Sequence, residues 1–414
     1  MRETKTLELK VTITNTFLKT VSAYANYGAG RILFGVDDDG ATIGIDNPTE
    51  KLLDIENRIN DSIDPCPDYS LHVNPKTGVI TLKVLEGLHK PYLYRSKAYR
   101  RSDSATVEVD RVELTRLILE GQNRSFEDTK ASRQDLRFTI LEKKLQETIG
   151  IQEISQDVLK TLDLYGAEGY TSAGELLADE NSFEGVDIVR FGDTINLLLD
   201  RGVFEGVSLL EQYDRALSMY RKYYQYEEID GALRTLIATV PEEAFREGVA
   251  NALVHRTWDT KGHIRISMYP DRIEIASPGG LPRGVSEKEY LAGQLSMLRN
   301  PIIGNVFFRL KIIERFGTGI RRINDAYRES DTKPKFTVFE NSILVTLPTI
   351  SSYTSLKKDE RVVYQAVQGK ELSSSEIARI TGFSKTKVVS VLKRLTESGY
   401  VKVLGTGRGT KYST

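Results

Sequence analysis

The chain has 414 residues, 40% of them hydrophobic and 28% charged, with a net charge of −1, which suits a globular protein of roughly two to four domains. No apolar run approaches the roughly 20 residues that span a bilayer, and the charged start MRETKTLELK is no secretory signal, so a cytoplasmic protein without a membrane partner is expected. The single cysteine, Cys66, excludes an internal disulfide and a cysteine-based zinc cluster, and the four histidines show no metal-ligand spacing.

Residues 1–121 read as mixed α/β. The segment 13–28 is predicted helical, with Phe17, Val21 and Tyr24 on one face and Gly28 and Gly30 ending it. A strand is predicted over 31–36, the turn DDDG at 37–40 and a return strand over 41–45. A helix over 51–63 stops before Pro65 and Pro67. Strands over 79–87 and 92–102 and a helix over 112–121 close the domain. The pieces Thr6–Lys10, Ser22–Gly30, Leu33–Gly40 and Ile43–Ile45 resemble the AlbA-type α+β domain shared with Schlafen proteins. In nuclease-active members two Glu and one Asp form a metal-dependent RNA-cleaving site, and the resemblance carries that role to Glu3, Glu8 and Asp37 or Asp38. Three carboxylates on a divalent metal would activate water for phosphodiester attack. The DDDG run also makes a good turn on its own merits.

Residues 122–240 form the expected helical connector. A polar linker spans 123–135, helical spacing returns over 138–150 and 155–179, and the second half of 193–224 reads as one long helix. The same family places a helical connector here, and TSAGELL at 171–177 resembles one of its elements. No chemistry is legible in this stretch.

Residues 241–348 are expected to fold as one compact α/β sandwich. Pro241 suits a first helical turn and Glu242 and Glu243 suit the positive end of the helix dipole. Val249 and Leu253 make an apolar stripe, while Glu247 and Asn251, four residues apart, share another and can point at one ligand. That spacing alone also fits a solvated polar face. His255 can face the pocket, with a hydrogen-bonded structural histidine as the favoured reading, and Trp258 is expected to be a packing residue. Strands over 263–269 and 272–277 form a hairpin at Pro270-Asp271, residues 287–294 form part of a lid, a helix spans 299–317, and two strands fill 336–348. The glycine-rich turns SPGGLPRG (277–284) and RFGTGIRR (315–322) expose backbone N–H groups to anions.

In order, Glu247-x-x-x-Asn251, IEIASPGGLP, SMLRNP and ERFGTGI resemble the divergent ATPase module of the GHKL (Bergerat-fold) superfamily, in the version found in RecG-like proteins and transcriptional regulators. The resemblance implies ATP and Mg²⁺ as cofactors. Glu247 becomes the general base and Asn251 the metal ligand. Gly279 and Gly280 meet the base, Gly317 and Gly319 approach the phosphates, and Ser277, Arg299, Asn300 and Thr318 complete the contacts. Typical members read the adenine amine with an Asp; this chain carries Ser277-Pro278-Gly279-Gly280. Two readings of the pocket stay open, a weak ATPase and a nucleotide binder without efficient turnover. No GxxxxGK[ST] run occurs, which excludes a helicase motor.

Residues 349–414 begin with a polar linker, 349–358. Three helices follow, over 359–368, 373–382 and 384–399, and then a glycine-rich hairpin over 400–413. The order resembles a winged helix-turn-helix. Val388, Val391, Leu392 and Leu395 form the buried stripe of the third helix, with Ser384 as its N-cap. Lys385, Thr386, Lys387, Ser390, Lys393 and Arg394 are left for DNA, and Arg408 and Lys411 sit on the wing. Residues 351–414 hold 12 Lys and Arg against 5 Asp and Glu, a balance of +7 on a body of −8, which favours a nucleic-acid contact. The expected whole is an α/β multidomain regulator that binds ATP and double-stranded DNA and pairs as a homo-oligomer. The alternative is a Schlafen-like RNA endonuclease gated by the ATPase-like domain, with RNA on the N-terminal domain.

Overall fold

The computed structural model describes all residues except 1, 231–232, 283, 294–296, 315–316, 351–357, 368, 398–399, 406 and 414, and leaves undescribed the side chains of 228, 230, 233–235, 358, 361, 365 and 408. Ser296 of the SMLRNP run, Arg315 and Phe316 of the RFGTGIRR turn and most of the 349–358 linker therefore lie outside the described residues. The chain divides into two compact units, residues 1–132 with 167–172, and 133–166 with 173–414. Among the described residues no helix is long and apolar enough to cross a membrane.

The first unit is built on a four-stranded sheet in the order Leu7–Lys10, Gly30–Phe34, Ile80–Val84, Tyr69–Val73. The first pair is parallel, because the helix Phe17–Tyr27 carries the chain back across the sheet, and the other pairs are antiparallel. Phe17, Val21 and Tyr24 are buried as the helical spacing predicts, and the Phe17 ring meets Phe34 edge-on at 5.3 Å. The return strand expected over 41–45 does not form. Only a single bridge joins Val36 to Thr42, and Ile43 and Gly44 both donate to the Gly35 carbonyl. Gly35 and Gly44 take positive φ and pass so closely that a Cβ on Gly35 would lie 2.7 Å from the Gly44 backbone, which ends the ladder. The expected strand over 92–102 splits into Leu93–Tyr94 and Tyr99–Ser102 around Arg95 and Ser96, both with positive φ.

The second unit contains a six-stranded sheet in the order Leu198–Phe204, Val186–Phe191, Ile264–Met268, Arg272–Pro278, Ser342–Pro348, Lys335–Val338. The segment expected to be a purely helical connector thus supplies two strands. Val186–Phe191 pairs in parallel with Ile264–Met268, and the long crossover between them includes the helices Leu209–Tyr224 and Glu242–His255. A parallel pair needs such a crossover, and its helices lie on a sheet face. The crossover also holds an unanticipated hairpin of Gln225–Asp230 and Leu233–Ala238. The helix expected over 299–317 is shorter, Pro301–Arg309, and is followed by a turn in which Lys311 has positive φ.

The C-terminal stretch folds as three helices, Lys358–Val367, Ser374–Thr381 and Lys385–Glu397, then the antiparallel strands Lys402–Leu404 and Lys411–Ser413. Val388, Val391, Leu392 and Leu395 are buried with Val363, Ile377 and Val401, as the apolar period of the third helix requires.

Candidate functional site

The helix Glu242–His255 organises a cavity in the second unit. Pro241 stands just before it, and Glu242 and Glu243 occupy the first turn. Val249 and Leu253 are fully buried, and Gly248 lets the helix close on the sheet, since a Cβ there would lie 2.9 Å from Ile275. Glu247 and Asn251 both line the cavity, and the Asn251 amide nitrogen donates to Glu247 Oε1 at 3.3 Å. That bond leaves the amide oxygen available to a hard cation. Glu247 is buried, which pushes its carboxyl above the ordinary range, with the Arg322 guanidinium pulling the other way.

Gly317, Thr318 and Gly319 border the cavity at the start of the helix Gly319–Ala326. The Thr318 side chain makes no cap bond, so the helix presents its first N–H groups and the positive end of its dipole. A Cβ on Gly319 would fall 2.5 Å from Asn251 Nδ2 and 2.6 Å from Glu247 Oε1, so glycine is what allows the two polar side chains and this helix end to share one space.

The other wall follows from strand alternation. Along Arg272–Pro278 the buried residues are Ile273, Ile275 and Ser277. The Ser277 hydroxyl donates to the Ala252 carbonyl at 3.0 Å. The turn at Gly279 and Gly280 also lines the cavity and is held by Arg299, whose guanidinium donates to the Gly280 carbonyl at 2.6 Å and to Thr257 Oγ1. Asn300 departs from the expected role. It is buried outside the cavity lining, and its amide donates to the Val254 and Arg256 carbonyls at 2.7 and 2.8 Å, closing the end of the Glu242–His255 helix. Ile320 of the ERFGTGI run, with Ile323, Ile343 and Val345 that no motif announced, gives the cavity an apolar side. His255 also departs from the favoured reading. It lines the cavity, half-buried, and its ring makes no hydrogen bond among the described residues. Trp258 is a packing residue, buried with the Arg256 guanidinium 4.2 Å above its ring.

The acids of the first unit have other engagements. Glu8 is buried and ion-paired to Lys10 at 2.7 Å and to Arg101 at 3.0 Å. Glu3 accepts from the Leu9 N–H at 2.9 Å. Asp37 accepts from the Asp39 and Ala41 N–H groups within its own turn, and Asp38 is exposed. Among the described residues no group of three or more His, Cys, Asp and Glu side chains is placed to hold a metal ion.

Two family models match this chain. Residues 3–110 match the model described as "Schlafen, AlbA_2". Residues 261–347 match the model described as "Putative ATP-dependent DNA helicase recG C-terminal", an ATPase-type domain of the HATPase class. The second match begins after the helix that bears Glu247 and Asn251, and contains Ser277, Gly279, Gly280, Arg299 and the 317–319 turn. Among solved structures, the DIP2311 protein from Corynebacterium diphtheriae is 18% identical, over 99% of this chain and 92% of its own, with a TM-score of 0.48. The N-terminal domain of a RecG-related protein from Nitrosomonas europaea is 21% identical, over 27% of this chain and 85% of that one, with a TM-score of 0.20. No curated protein matches the chain significantly.

On the C-terminal helix Lys385–Glu397, Ser384 caps as expected, its Oγ accepting from the Lys387 N–H at 3.3 Å. Lys385, Thr386, Lys387, Ser390, Lys393 and Arg394 are all exposed, as is Lys411. Several carry acidic neighbours: Lys387 pairs with Asp359 at 2.6 Å, Arg394 with Glu360 at 2.7 Å, and Lys393 approaches Glu397 at 3.9 Å. The Arg408 side chain lies outside the described residues.

Proposed function

We propose that this chain is a cytoplasmic, nucleotide-binding regulator in which ATP in the second-unit cavity controls a C-terminal winged helix that contacts double-stranded DNA. The observation that carries the reading is the convergence of Glu247, Asn251 and the start of the Gly319–Ala326 helix on one cavity with an apolar wall. The helix start suits a triphosphate and the apolar wall suits a base. Asn251 is a suitable oxygen ligand for Mg²⁺, which takes one or two protein ligands and completes its shell with phosphate and water. Bound there, Mg²⁺ would neutralise phosphate charge. Glu247, with its raised carboxyl, would accept a proton from an attacking water.

The test is calorimetric titration with ATP, ADP and GTP, with and without Mg²⁺. Asn251→Ala is expected to weaken ATP binding about tenfold in Mg²⁺, in line with loss of one ligand or hydrogen bond, and to change little in EDTA. Equal affinity of the two proteins in Mg²⁺ refutes the assignment of Asn251.

For DNA, the exposed Lys385 and Lys387 are the residues to alter. Each phosphate contact contributes about 0.9 to the slope of log affinity against log salt. Lys385→Ala with Lys387→Ala is expected to flatten that slope by about two contacts' worth, measured by anisotropy on a duplex. A parent protein with no salt-dependent duplex binding sinks the DNA reading. Two paired copies would set two winged helices on adjacent half-sites. The ribonuclease alternative, with RNA on the first unit, has less support, because Glu8 already answers Lys10 and Arg101 and Asp37 is occupied in its turn.

A further inference from the structure

His255 is the last residue of the Glu242–His255 helix, one turn beyond Asn251 and two beyond Glu247, on the same side. It lines the cavity together with Ser277 and Arg299. Its ring has no hydrogen-bond partner among the described residues, so it is open to a ligand in the cavity. Ser277 also lines the cavity, but its only proton is committed to the Ala252 carbonyl at 3.0 Å, so it can accept from a base and not donate to one. Arg299 is committed to Gly280 and Thr257. Glu247, Asn251 and the Gly319–Ala326 helix start are the groups suited to metal and phosphates, and His255 is a cavity-lining group able both to donate to and to accept from a base.

We propose that His255 is the specificity-determining residue of the cavity, hydrogen-bonding the edge of a purine base and accepting adenine and guanine nucleotides with similar affinity. The inference rests on the nucleotide reading above. Burial, with the Arg299 guanidinium nearby, pushes the imidazole down to about 4, so the ring is neutral at physiological pH. A neutral imidazole has one donor and one acceptor nitrogen and exchanges them by tautomerism. Toward adenine it accepts from the exocyclic amine. Toward guanine it donates to the ring carbonyl. A carboxylate at this place would only accept and would select the amine. The cavity's apolar wall, with Ile275, Ile343 and Val345, discriminates by shape rather than by hydrogen bonds.

The experiment compares the full chain with its His255→Ala and His255→Gln variants in calorimetric titrations of MgATP, MgGTP and magnesium tripolyphosphate. ATP and GTP are expected to bind the parent within about tenfold of each other. His255→Ala is expected to weaken both about tenfold, the effect of one hydrogen bond, while tripolyphosphate, which has no base, binds as before. His255→Gln, which keeps a donor and an acceptor, is expected to recover part of the loss. ATP affinity unchanged in His255→Ala overturns the assignment and leaves the nucleotide reading intact. Tripolyphosphate weakened as much as ATP also overturns it, because the ring would then act on the phosphates or on the cavity as a whole. A parent protein that binds none of the three removes the nucleotide reading and this inference together.

Discussion

Replacing Gly319 by valine is expected to lower ATP affinity about a hundredfold or more, with the fold retained. The new Cβ would lie 2.5 Å from Asn251 Nδ2 and 2.6 Å from Glu247 Oε1, too close for either to keep its place. Both polar groups belong to a helix packed against the sheet, so they must rotate away rather than retreat with their backbone. Losing the two contacts at about tenfold each amounts to about a hundredfold, and the added methyls also narrow the approach to the helix start. Calorimetry measures the affinity and a thermal melt checks the fold. An affinity within threefold of the parent would show that Glu247, Asn251 and the 317–319 turn do not act on a common ligand.

Arg101→Met is expected to destabilise the first unit by about 3 kcal/mol, the scale for stripping one partner from a buried ion pair. Arg101 and Glu8 retain only 6% and 4% of their side-chain exposure. Arg101 also donates to Thr106 Oγ1 at 3.1 Å and to the Thr4 carbonyl at 3.1 Å, so it fastens the first strand to the Tyr99–Ser102 hairpin. Lys10 remains beside Glu8 and softens the loss. Urea unfolding of the full chain reads it as an earlier first transition. The double change Glu8→Gln with Arg101→Met is expected to recover part of the stability, because no uncompensated charge then stays buried. A single variant as stable as the parent would mean that this pair does not hold the unit together.

The sequence revealed most where local spacing and tertiary burial agree. The Glu247–Asn251 helix and the Val388, Val391, Leu392 and Leu395 stripe were legible because one face of each helix repeats with the helical period and is buried as that period predicts. Gly279, Gly280 and Gly317–Gly319 were legible as turns and do border the cavity. Asn300 was misread because a buried amide that closes a helix end looks, in sequence, like one that faces a ligand. Leu198–Phe204 escaped notice because it is an edge strand with most of its residues exposed, so no alternation of apolar and polar residues marks it. That His255 lines the cavity, beside Ser277 and Arg299, was not legible because both neighbours are far away in sequence.

The parallel pairing of Val186–Phe191 with Ile264–Met268 has a practical corollary for anyone dissecting the molecule. A fragment cut at residue 241 or at 261, as the motifs or the matched stretch would suggest, loses two of the six strands and strips the ladder from one side of Ile264–Met268. That raw strand would recruit other chains and come out of solution. A piece beginning near residue 133 keeps the sheet whole and is a fair one in which to try nucleotide binding.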